Sequence, residues 1–458
     1  MAKSNTNFSK ISEWDEGAAR HILSRTLFGY TKQDIEFALS QTLDNFVDNY
    51  LLADQPTPQP PGDWVNNSDN TDNSDHIREI IYWWYDLMVT QGYTMRERMV
   101  LFWHNHFVSE VAKVSLAQRM YWQNKLFRDY AMGNLIDFTK AVTIDPAMLI
   151  YLDGTRNRVG APNENYAREL LELFTLGIGH YTETDIQEGA RALTGWRVDG
   201  IEPYFTESRF DDGEKTFLGY TGNFNHEDVV DIIFTKPSAA VYFCRELYRE
   251  FVHVDVDEMS VETMAQLLRA NNYNIKPVLS MLLKSVMFHE DEIRGAKIKS
   301  PVELIVGTMR QFNVGTPDYV YMRQVAEQLR QTLLSPPNVS GWDGDKVWID
   351  TTTLPSRNIF TDAVVNGRKS NGGELTFEID FVEYVRTFPS SEDAVQLIDD
   401  LAKIFLQFSL SENRKKYLLD TLLDGAEVYD WSTSDPLAED RLKLFFKALM
   451  RLSEYQLS

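Results

Sequence analysis

Cysteine is almost missing from this chain: Cys244 is the only one in 458 residues. That excludes an intrachain disulfide framework and any cysteine cluster holding zinc or iron–sulfur. Cys244 sits in the apolar run 239–244 and reads as a small core residue. Long hydrophobic runs are lacking too, since no stretch approaches the roughly 20 apolar residues of a membrane span. The first ten residues carry no apolar leader, so a cytoplasmic protein without a membrane span is the expectation. Basic charge is in short supply: 45 Lys and Arg face 68 Asp and Glu, a formal charge of -23. Such a surface repels phosphate backbones and anionic lipid, so nucleic acid is not an expected partner. Several catalytic signatures are absent: Gly-x-Ser-x-Gly, the phosphate-binding Gly-x-x-x-x-Gly-Lys-Ser/Thr, a dinucleotide fingerprint after a strand, and His-Glu-x-x-His. Their absence argues against nucleotide-dependent, classical serine hydrolase and zincin chemistry.

What is present is helical periodicity. Apolar residues recur at three- and four-residue spacing over 17–28, 33–52, 76–91, 95–107, 115–131 and 163–176, and again from about 228 to 334. This predicts a mainly α protein, an orthogonal or bundled multi-helix assembly. Residues 54–75 interrupt it with four prolines and an Asn/Asp/Ser tract, which reads as a surface loop. Asp69, Asp72 and Asp75 do not follow the EF-hand spacing, and Ile80 occupies the twelfth position from Asp69, where that loop needs glutamate. Between 195 and 225, short aromatic and β-branched pieces alternate with Asp199-Gly200, Asp212-Gly213 and Gly219–Gly222, predicting a small antiparallel β insertion. Asn371-Gly372-Gly373 marks the expected boundary between a main helical domain, 1–370, and a C-terminal helical lobe, 371–458.

The densest polar helix runs from 163 to 176. Its spacing places Tyr166, Ala167, Leu170, Leu171, Leu173 and Phe174 on one side and Glu164, Arg168 and Glu172 on the other, flanked by Glu169. Asn163 is a suitable cap and Gly177 a suitable stop. Two readings stay open. A solvent-facing Glu164–Arg168 pair contributes only about 0.2–0.5 kcal/mol. In a cleft, Arg168 would hold Glu164 and Glu172 ionised, while a less compensated Glu169 would become an acid or base. Upstream, the segment 95–107 carries His104 and His106 on a helix that is apolar almost all round. Two such histidines diverge by roughly 160° on a regular helix. They bind one divalent metal ion only if the helix ends near His104; otherwise they are core histidines in hydrogen bonds.

Six segments in order resemble one bacterial family: Arg98 to Phe107, Asn163 to Gly177, Ala190 to Trp196, Lys215 to Gly219, Ser300 to Leu304 and Pro336 to Trp342. The chain is similar there to the family catalogued as domain of unknown function 1800. That resemblance implies a mainly helical protein and supplies no activity. Because relatives are often exported and encoded beside a second exported protein, it also implies a protein partner. Combining residues and resemblance, the expectation is a hydrolase-type enzyme built on Glu164, Arg168, Glu169 and Glu172 with His104 and His106, covered by the loop carrying Trp342. The alternatives are a noncatalytic helical binding or assembly protein, whose polar cluster is a structural network, and a carbohydrate binder using Trp342 and Trp348.

Overall fold

The apolar stripes become helices that bury them. In the Asn73–Thr90 helix, Ile80, Ile81, Trp84, Tyr85 and Met88 are the buried residues, at the spacing that keeps one helical face on the core. The computed structural model describes residues 8–68, 71–369 and 375–458. Among them are 22 α-helices and three two-stranded antiparallel sheets. The fold is therefore mainly α with small β insertions. Among the described residues, no helix is long and apolar enough to cross a membrane.

Helix starts follow local capping chemistry. Thr31 with Asp34, Thr182 with Asp185, Asn225 with Asp228 and Ser300 with Glu303 each form a reciprocal capping box. The β insertion consists of two hairpins. Trp196–Asp199 pairs with Glu202–Phe205, and Lys215–Phe217 pairs with Tyr220–Gly222. At the second turn Leu218 and Gly219 both have positive φ, 48° and 86°, as a tight two-residue hairpin turn requires. A third pair, Arg368–Lys369 with Leu375–Phe377, has no counterpart in the sequence pattern.

The proline-rich stretch lies along the surface as a pinned strap. Arg96 donates to the Pro56 carbonyl, Trp83 to that of Gln59 and Trp122 to that of Val65. Helix begins at Asn73, three residues inside the expected loop. Asp69, of the rejected calcium pattern, and the Asn371-Gly372-Gly373 break lie outside the described residues.

One hydrophobic core runs from Ala19 to Tyr455. Phe312 packs against Phe381, Phe405 and Phe446, with ring centroids 5.6, 5.1 and 5.3 Å away, which joins the helices after 375 to those before it. The Pro301–Gln311 helix passes through the middle of this core, with ten of its eleven residues buried. At its closest crossing, a Cβ on Gly307 would lie 2.4 Å from the Phe28 carbonyl oxygen, so only glycine fits there.

Candidate functional site

The helix of 163–176 forms, but not as a uniform α-helix. Residues Asn165–Glu169 are α-helical and Leu170–Thr175 widen into a π-helix. Its apolar face is buried as the spacing predicts: Tyr166, Ala167, Leu170, Leu171 and Phe174 all lie in the core. Its charged face looks outward. Arg168 bonds Glu183 through two nitrogens, at 2.9 and 2.8 Å, and reaches Glu164 at 3.3 Å. Arg168 and Glu164 remain 36% and 39% exposed, and Glu183 71%, so this is a wet surface network. Glu172 accepts the Tyr181 hydroxyl at 2.7 Å. Burial, then the charge of Glu172, raises the Glu169 carboxyl.

His104 and His106 meet different neighbours. The His104 Nε2 accepts the Leu334 N–H at 3.2 Å, which leaves the proton of its neutral ring on Nδ1. The His106 Nε2 lies 2.9 Å from the Phe174 carbonyl, and since a carbonyl only accepts, that Nε2 carries the proton. Burial lowers both imidazoles to about 4, so both are neutral near pH 7. Each spends its Nε2 on a separate stretch of backbone, and the two rings do not converge on one ion. The expected metal pair therefore does not form in this arrangement. Among the described residues, no group of three or more His, Cys, Asp or Glu is placed to hold a metal. His106 meets the 163–176 segment from its apolar side, so Glu164, Arg168, Glu169 and Glu172 are not assembled with the imidazoles. The π-helix explains the contact: widening the turn leaves late carbonyls without helical partners. Leu173 then accepts the Tyr242 hydroxyl, and Phe174 accepts His106.

The structure gathers a different set. A cleft of about 460 Å³ opens between the Arg96–His106 and Pro237–Phe251 helices and continues into a recess of about 100 Å³. The first helix contributes Arg98, Leu101, Phe102, Asn105 and His106, spaced three, four, seven and eight residues from Arg98. The second contributes Tyr242, Glu246, Arg249 and Glu250 in the same rhythm. Lys297, Ser300 and Glu303 close the recess, and the loop carrying Trp342, Asp345 and Trp348 covers it. Asn105 positions that loop. Its Oδ1 accepts the Trp342 N–H at 2.7 Å, and Gly341, with φ of 78°, approaches so closely that a Cβ would lie 2.3 Å from the same oxygen.

Charge in the recess is ordered. Arg98, 3% exposed, reaches Glu303 at 2.5 Å and Glu250 at 2.9 Å. Glu303 also accepts the Ser300 N–H at 2.7 Å. Burial would raise its carboxyl, but Arg98 and Lys297 bring it down to about 2. Lys297 donates to the Glu250 carbonyl, and burial lowers its amine despite the facing Glu250 carboxylate. Toward the cleft mouth, burial raises Glu246, with Arg249 opposing at 2.7 Å. Burial likewise raises the Tyr242 hydroxyl.

Glu246, Glu250, Lys297 and Glu303 were not singled out from sequence. The signals available were Arg98, at the start of the Arg98 to Phe107 segment, and Glu303, inside the Ser300 to Leu304 segment.

A family model described as protein of unknown function (DUF1800) matches residues 21–457, and the chain belongs to that family. No curated protein and no solved structure matches it.

Proposed function

We propose that this family member is an enzyme of hydrolase type, acting on a small polar substrate in the cleft between the Arg96–His106 and Pro237–Phe251 helices. One arrangement carries the reading: a half-buried carboxyl with a raised pKa, Glu246, and a neutral imidazole, His106, line the same cleft. A carboxyl raised by burial holds a proton nearer neutral pH and donates it to a leaving group, then recovers it from water. The Phe174 carbonyl holds the His106 proton on Nε2, which leaves the Nδ1 lone pair to order a water. Asn105 and the Trp342 loop restrict solvent around both.

The test is turnover by purified protein on ester, glycoside and phosphoester panels, with Glu246→Gln beside it. Loss of roughly a hundredfold in rate at unchanged thermal midpoint is the expected result. Inactivity on all three panels, or equal rates in the variant, overturns the reading. A noncatalytic protein acting with a partner is the second reading. Its support is that both guanidinium ends of Arg98 are already met by glutamates, as in a structural network.

A further inference from the structure

Two indole N–H groups stand unused at the recess behind the cleft. Trp342 and Trp348 both line it, and each is only 6% exposed. Among the described residues neither indole nitrogen has a hydrogen-bond partner, whereas those of Trp83, Trp84, Trp103 and Trp122 donate to a carbonyl or a carboxylate. The Trp348 Nε1 faces the cavity. It is the one atom within 4 Å of a Cβ placed on Gly344, 3.9 Å away, and Gly344 lines recess and cleft alike. A buried indole donor without an acceptor has given up water for nothing, so such groups ordinarily find a partner.

The free acceptors on these walls are acidic. Each lining cation is already met: Arg98 by Glu303 and Glu250, Lys297 by Glu250, and Arg249 by Glu246. Asp343 and Asp345, on the covering loop, meet no cation among the described residues. Asp345 lines both cavities and Asp343 the cleft. An anionic ligand therefore finds two unpaired acids and no unpaired base. An ammonium ligand suits the aspartates but leaves both indole N–H groups without an acceptor. The third element is aromatic: Phe102, Tyr242 and Trp342 line the cleft, and the Tyr242 hydroxyl is spent on the Leu173 carbonyl, which leaves its ring for packing. We propose that the cleft and its recess bind a neutral carbohydrate, with Trp342 and Trp348 donating to its hydroxyl oxygens and Asp345 accepting from its hydroxyl hydrogens. A sugar hydroxyl both donates and accepts, and the C–H face of a sugar ring lies flat on an aromatic side chain. The cleft volume of about 460 Å³ falls within the roughly 300–1,000 Å³ of small-molecule sites. Asp343 and Asp345 repel uronate or sulfated sugars. Among esters, phosphoesters and glycosides, the assignment selects glycosides.

This inference rests on the cleft being the working site, yet its test requires no turnover. Binding to the full chain is followed by calorimetry and tryptophan fluorescence, with neutral oligosaccharides of glucose, mannose, galactose, xylose and N-acetylglucosamine. Oligogalacturonate and spermidine serve as the acidic and cationic comparisons. Saturable binding of at least one neutral sugar is expected. Trp348→Phe, which keeps a ring but loses the N–H, is expected to weaken it roughly tenfold or more. So is Asp345→Asn, in which the new residue tolerates the positive φ of 49° at that position. If Trp348→Phe does not fold, Asp345→Asn decides alone. No binding of any neutral sugar, unchanged affinity in either folded variant, or tighter binding of oligogalacturonate or spermidine overturns the proposal. Neutral-sugar binding with no turnover on any panel removes the hydrolase reading alone.

Discussion

The Nε2 of His106 donates to the carbonyl oxygen of Phe174 across 2.9 Å, joining two segments 68 residues apart in sequence. The bond is made to the backbone of a widened helix rather than to the carboxylates on its far side. It fixes the tautomer of the one imidazole that lines the cleft.

Stability should therefore fall below neutral pH. A folded-state pKa of about 4 for His106 lies below the unfolded value of roughly 6.5. Between these values the unfolded chain binds more protons, so stability is lost as pH falls from 6.5 toward 4. Asp145, raised by burial to about 7, acts in the opposite sense, but it does so equally in a His106→Gln variant and cancels in the comparison. In urea unfolding at pH 7 and pH 5, the unaltered protein should lose roughly 2 kcal/mol more than the variant. Equal losses would show that the imidazole is not held neutral.

Beneath the cleft helix, Glu97 and Arg128 form a bidentate pair at 2.8 and 2.7 Å, with side chains 1% and 2% exposed. The Trp84 indole donates to the same carboxylate at 3.1 Å. Arg128→Met leaves the buried carboxylate with only the longer Arg96 contact, at 3.4 Å, and should cost about 3 kcal/mol in chemical denaturation. Replacing both, Glu97→Leu with Arg128→Met, should recover much of that loss. A double variant as unstable as the single one would contradict the pairing.

The crossing at Gly307 admits no side chain. Gly307→Ala should destabilise by about 1–3 kcal/mol or more, because backbone on both sides must move. Gly315→Ala, where nothing lies within 4 Å, is the matched control and should be neutral. Similar midpoints for the two variants would refute the close approach.

On the outward face of the 163–176 segment, Arg168→Met and Glu164→Gln should change stability by no more than about 0.5 kcal/mol, since both groups are more than a third exposed. They should also leave ligand binding in the cleft unaltered. A tenfold effect of either on binding would return that face to the site.

Much of the fold was legible because helix formation is a local matter. Tyr166, Ala167, Leu170, Leu171 and Phe174 are buried where the spacing puts them, and the hairpins lie where glycine punctuates β-branched residues. The charged face of that helix was ambiguous, since a wet face and a catalytic face have the same spacing. The π widening at Leu170 had no visible signal either. A one-residue change in helical turn is stabilised by partners such as Tyr242 and His106, which lie elsewhere in the chain.

By itself, the sequence determined the helical class, the exclusion of disulfide and nucleotide-loop chemistry, and the family. Tertiary structure alone decided that Arg98 meets Glu303 and Glu250, that His104 turns to Leu334 and His106 to Phe174, and that Glu164 and Arg168 face water. The division has a physical cause. Periodicity and capping act over a few residues and are written along the chain, whereas burial and the pairing of charges arise only when helices from distant segments are packed together.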